Sequence, residues 1–191
     1  DRSLGVIASF TYDESFSGYD GGTTARFSQG LNADQLQPEA SYTTRRGVEE
    51  RLWGGLAGIS FQLTPNNELG ARLVYNRDRE GVARSEIGIL PRDNIQGDRR
   101  FQTRVSRVIE RTVRSAQLSG THQFGGGGDG VRVEWKTAFS EVGRDEPDNR
   151  FFQNEFTVGE SDTTYAISGP VTGLPTRYFR DLTEQDWSAE A

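Results

Sequence analysis

The chain of 191 residues contains no cysteine and no methionine, one histidine (His122) and one lysine (Lys136). Without cysteine there is no disulfide framework and no thiolate metal site. A single histidine excludes a metal centre built from several imidazoles. The missing methionine, with Asp1 in first place, leads us to expect a processed product or an excerpt of a longer chain. No leader pattern is present, and no apolar run approaches the roughly 20 residues of a membrane helix. Only helical spanning is thereby excluded, because a barrel strand crosses with about ten alternating residues whose mean hydropathy looks soluble. Hydrophobic residues make up 33% and the mean hydropathy is -0.69, which is low for a globular core of this size. The net charge of -6 leaves no basic footprint for nucleic acid.

What is present is glycine, 23 of them, and period-two alternation. The clearest case lies in residues 115–149. There Val131, Val133, Trp135, Thr137 and Phe139 alternate with Arg132, Glu134, Lys136, Ala138 and Ser140. Strand side chains point to opposite faces in turn, so this run is a strand with one oily and one wet side. The approach to it, through Leu118, Gly120, His122 and Phe124, alternates more weakly. GGGGDG lies between the two and supplies the freedom a reversal needs.

This alternating strand is expected near 131–142, and the others near 4–12, 51–64, 68–78, 100–124 and 176–191. Pro65, Asn66 and Asn67 make a tight turn between the second and third. A helix competes for FQTRVSRVIERT, but its apolar stripe is thin and β-branching favours a strand. Three polar stretches (13–49, 79–99, with Pro91, Asp93 and Asn94 as breakers, and 143–175) read as long connections. Short turns and long loops then alternate strictly, as in an up-and-down barrel across an outer membrane. A soluble sandwich gives no reason for every second loop to be that long.

Several constellations invite a chemical reading. Gly125, Gly127 and Gly130 match G-x-G-x-x-G, but that fingerprint needs a helix to follow, and here a strand is expected. Asp145, Glu146 and Asp148, beside Arg144 and Pro147, offer hard oxygens suited to calcium; a solvated strand end is the plainer reading, as it is for Asp129. His122 falls on the oily face, and no acid–base or nucleophile pairing forms around it, so no catalytic residue, metal site or cofactor is assigned. Trp53, Phe61, Tyr75, Trp135 and Phe139 share the aliphatic phase, with Phe124 and Trp187 nearby in other strands, and suit an interfacial girdle better than a ligand platform. Arg72, Arg132, Glu134 and Lys136 fall on the opposite face, the lumen side of a barrel.

With these pieces in view, RRFQTRVSRVIERTVRSAQLSGTHQFGGGGDGVRVEWKTAFSEVGRDEPDN and PTRYFRDLTEQDWS resemble the barrel of a TonB-dependent outer-membrane receptor, and LGVIASFTY is similar to one of its strands. The resemblance implies an all-β, antiparallel up-and-down transmembrane β-barrel of about 22 strands closed around a plug. Six strands would be one part of it, with the plug absent from this chain. It further implies residence in the bacterial outer membrane and contact with outer-membrane lipid. Uptake of a scarce small-molecule or glycan ligand (an iron chelate, cobalamin or glycan) would be energised by the TonB complex through parts outside this chain. GGGGDG would be a periplasmic turn, and DEPD would mark where the strand leaves the membrane. No ligand-binding residue is assigned. The alternative is a smaller outer-membrane barrel or a soluble β-rich adhesin module without transport.

Overall fold

The computed structural model describes residues 3–29, 36–89, 99–125, 130–167 and 175–191. These form one antiparallel sheet of seven strands, with no helix among the described residues. The strands are β1 (Ser3–Gln29), β2 (Leu36–Thr64), β3 (Asn67–Ile89), β4 (Arg99–Phe124), β5 (Val131–Val158), β6 (Thr163–Ile167) and β7 (Thr176–Glu190). Each of β1 to β5 pairs with the next in chain order, an up-and-down arrangement. The far edge of β5 is shared, by β7 opposite residues 136–151 and by β6 opposite 154–158. The sheet is not closed: among the described residues, β1 and β7 each keep a free edge.

Five of the six expected strands lie within observed ones, the last overruns β7 by one residue, and FQTRVSRVIERT is part of β4. The three long connections are corrected. Residues 13–29 and 36–49 continue β1 and β2 as paired strand, 79–89 continue β3, and 143–158 continue β5. The small strand β6 was not expected. The reason is physical. Backbone ladders form wherever two chains run side by side, and in these extensions apolar side chains such as Ala40 and Val82 stand singly among polar ones, so no hydrophobic alternation marks them. The backbone pairing holds them, with cross-strand contacts between polar side chains added, as where Arg45 reaches Asp20 at 2.5 Å. Pro91, Asp93 and Asn94 lie outside the described residues. At about 3.3 Å per residue the 29 residues of β2 stretch to about 90 Å, several times what a bilayer crossing needs.

Two irregularities bend the ladders. Between Tyr19 and Gly22 the β1–β2 register shifts, and Gly21 takes φ +76° there, a backbone shape that favours glycine. On β5, the four residues 146–149 face only the three residues 107–109 of β4. Pro147, which has no N–H to donate, sits inside that bulge, a position a ladder tolerates.

Candidate functional site

The register aligns one face of the sheet into rows. One row reads Ala8, Ala57, Leu73, Ala116, Phe139, Trp187, and the next reads Val6, Ile59, Ala71, Leu118, Thr137, Ala189. Together with their neighbours they form an apolar band up to nine residues long on β1 to β5, through 4–12, 53–61, 69–75, 116–124 and 131–139, whose limits shift along the register between β2 and β4. The band is exposed, with Val6 71%, Phe10 72%, Leu73 58% and Leu118 52% accessible. The buried apolar side chains among the described residues are Ala40, Val82, Phe101 and Ile109, none of which belongs to the band. A continuous apolar surface of this extent on a soluble monomer is exceptional.

Aromatic rings mark both limits of the band. Towards the free strand extensions, Trp53 packs on Tyr75 with ring centroids 5.4 Å apart, and Phe139 packs on Trp187 at 4.4 Å. Towards the short turns, Trp135 lies beside His122, and Phe124 beside that. The indole Nε1–H of Trp135 donates to His122 Nε2 at 3.0 Å, while His122 Nδ1 is 2.9 Å from Asn67 Oδ1. This fixes the neutral tautomer with its proton on Nδ1, donated to the Asn67 carbonyl. Gly120, directly opposite Trp135, makes room for the ring: a Cβ there would lie 2.4 Å from the indole nitrogen.

Immediately beyond the upper aromatics, the same face turns charged. Glu14, Arg51, Arg79, Glu110, Asp145 and Asp181 form one row across six strands. A continuous chain of ion pairs runs along it. Arg51 bridges Glu14 at 2.6 Å and Glu49 at 2.8 Å, Arg79 bridges Glu49 at 3.5 Å and Glu110 at 3.3 Å, and Arg77 holds Glu110 at 2.5 Å. Glu14, Glu49 and Glu110 are balanced by Arg51, Arg77 and Arg79, while Asp145 and Asp181 at the end of the row form no ion pair among the described residues. Arg114 lies over the Tyr75 ring at 5.9 Å and reaches Glu141 at 3.4 Å.

The face assignments for the aromatics hold: Trp53, Phe61, Tyr75, Trp135 and Phe139 share the band face, as do Phe124 and Trp187. Arg72, Arg132, Glu134 and Lys136 share the opposite face, where Arg132 pairs with Glu134. Arg72 lines a depression of about 430 Å³ on that side, floored by small residues such as Gly58, Ser60, Gly70 and Ser119. Gly125 has φ +91°, and a strand follows Gly130, so the phosphate-loop geometry is excluded. Gly127 and Asp129 lie outside the described residues.

The expectation that 144–148 form a solvated strand end is corrected. The segment lies inside β5, and Glu146 is 2% exposed. Its carboxylate accepts from Arg144 Nε at 2.9 Å, Arg180 Nη1 at 3.3 Å and Asn149 Nδ2 at 2.5 Å. Asn149 is also buried, and its Oδ1 accepts the backbone N–H of Val108, which the bulge would otherwise leave unpaired. Asp148 is gripped by Arg150 and by Arg177 at 2.8 Å, and the two guanidiniums hold its carboxyl well below the usual aspartate range. Among the described residues, no group of acidic and imidazole side chains forms a metal cage.

No family model matches the chain, and no curated protein matches its sequence. No helix among the described residues is long and apolar enough to cross a membrane, which says nothing of crossing by strands.

Proposed function

We propose that this sheet is a wall segment of a bacterial outer-membrane β-barrel of the TonB-dependent receptor kind, serving energised uptake of a scarce iron chelate, cobalamin or glycan. One observation carries the membrane part of this reading. An apolar band up to nine residues long crosses β1 to β5, with aromatics at its limits and a rim of paired arginines and glutamates. Nine to eleven residues is what a tilted strand needs to cross hydrocarbon. In water such a face exposes apolar side chains to no benefit, whereas in lipid it is the expected surface. Long free edges on β1 and β7 call for further strands, since an open edge invites aggregation. The receptor class itself rests on the sequence resemblance.

On this reading the apolar face meets lipid, the face with Arg72, Arg132 and Lys136 meets the lumen, and the strand extensions stand in water outside the membrane. Ligand contact then falls to lumen and outer segments. The test is in two stages. The full-length protein should float with lipid vesicles and run with heat-dependent mobility on detergent gels, as closed barrels do; a protein that stays in the soluble fraction and folds without detergent overturns the membrane reading. Deleting the gene should then abolish an uptake that collapses when the proton gradient is dissipated. Uptake unchanged across iron chelates, cobalamin and glycans would remove the receptor assignment.

A further inference from the structure

Five residues beyond the Arg51–Arg79 pair, on the face opposite the band, Arg46 and Arg84 stand directly across from each other on β2 and β3. Their row reads Tyr19, Arg46, Arg84, Val105, and the next reads Gly22, Thr44, Glu86, Thr103. A Cβ on Gly22 would run into the Tyr19 ring, so that ring lies over Gly22 and walls the cluster on the β1 side. Like charges directly opposite each other on a sheet are unfavourable. Among the described residues Arg46 has no ion-pair partner, and Arg84 has only Glu86, at 3.7 Å.

The same cluster is short of acceptors in a second, independent way. Among the described residues, two buried side-chain polar atoms lack a hydrogen-bond partner, Thr44 Oγ1 and Arg84 Nε. Both belong to these two rows. Thr44 is 2% exposed, so bulk water does not serve its hydroxyl. A buried donor without a partner costs free energy that a new acceptor recovers. Two guanidiniums and one hydroxyl thus share a single carboxylate, Glu86. What the cluster lacks is negatively charged oxygen.

We propose that Arg46, Arg84 and Thr44 bind a carboxylate of the ligand that is taken up. The two guanidiniums grip its oxygens from either side, in the forked geometry that suits a carboxylate. Both partnerless atoms are covered by neighbouring side chains. Binding therefore turns the Arg84 side chain, 39% exposed on its flexible stem, outward, and brings its Nε and the Thr44 hydroxyl to oxygen. The ligand class narrows accordingly. Iron chelates with free carboxylates and acidic glycans carry the group, whereas cobalamin and neutral glycans do not. This inference rests on the receptor reading, which puts the cluster in water on the lumen side of the strand extensions.

The test is calorimetric titration of the full-length protein in micelles with ferric citrate, trigalacturonate, cyanocobalamin and maltotriose, with heat-dependent gel mobility to establish folding. One of the two carboxylate probes should bind and the other two should not; which one binds tells a chelate from an acidic glycan. Arg46→Gln and Arg84→Gln should each weaken that binding by about tenfold, a step equal to one lost charge-assisted contact. Thr44→Val should weaken it by about threefold and Thr44→Ser should restore it. Arg45→Gln removes the same charge from the opposite face, where Arg45 is paired with Asp20, and should leave binding unchanged. Binding of neither carboxylate probe by the folded protein, equal binding of a neutral probe, or equal losses for Arg45→Gln and Arg46→Gln overturns the assignment. If the protein inserts and takes up cobalamin or a neutral glycan, only this inference falls; if it does not insert, the membrane reading falls with it.

Discussion

Trp135 donates its indole N–H to His122 across the β4–β5 pair, and His122 in turn bonds Asn67 on β3. Three strands are tied at the turn end of the apolar band by one neutral imidazole. An indole N–H beside an apolar surface needs a partner, because leaving it bare forfeits the desolvation cost of the group. His122→Phe should therefore lower the unfolding free energy by about 1–2 kcal/mol, read as a shift in urea midpoint in vesicles or micelles. His122→Gln keeps an acceptor within reach and should recover part of it. Equal losses for the two variants would mean that the ring's packing, and not its hydrogen bond, matters.

Asn149 offers a second test, at the β5 bulge. Its amide serves Glu146 with the nitrogen and the Val108 N–H with the oxygen. Asn149→Leu orphans the Val108 N–H and removes one of three donors to Glu146, and should cost about 2 kcal/mol with faster hydrogen exchange at the Val108 amide. Asn149→Asp should be worse, since it sets a second carboxylate against buried Glu146. An unchanged Val108 exchange rate in the leucine variant would refute the role given to this side chain.

Acid should loosen the β5–β7 contact through Asp148. Its folded-state pKa is depressed by Arg150 and Arg177 from the ordinary 3.8. A depressed carboxyl contributes stability that is fully present above its unfolded value, and the contribution disappears as pH falls from there through the folded value. Hydrogen-exchange protection in β7, relative to the intrinsic rate at each pH, should thus fall in the wild type only below about pH 4. Asp148→Asn should show lower protection at neutral pH and less further loss of protection in acid. A variant whose acid response matches the wild type would remove Asp148 from this role.

The face assignments were legible because each apolar run kept its period: Tyr12, Trp53, Tyr75 and Phe139 could be phased from the sequence alone. The strand lengths were not. Beyond Tyr12, Trp53 and Tyr75 the same phase continues through Glu14, Arg51 and Arg79, but a strand wet on both faces has no alternation of polarity to count. The ion-pair rim left a trace, in that charges of opposite sign occupy the same phase on neighbouring strands; reading it required the register. The burial of Glu146 left none, since Pro147 argues locally for a break, and only the pairing with β4 and β7 turns that break into a bulge.

The phase of the band also yields the sharpest test of what covers it. Leu73 and Leu118 are more than half exposed in the middle of the band, on β3 and β4. If water covered that face, replacing either with arginine would be close to neutral, as surface changes away from special features usually are. If hydrocarbon covers it, an arginine near the midplane should cost about 2–4 kcal/mol. Gln117→Arg, one residue from Leu118 and on the opposite face, should cost little under both conditions. Folding free energies of Leu73→Arg, Leu118→Arg and Gln117→Arg in phospholipid vesicles separate the cases. A large penalty confined to the two leucine positions is expected. A flat series would place the band in water, and the nine-residue spacing would then need another explanation.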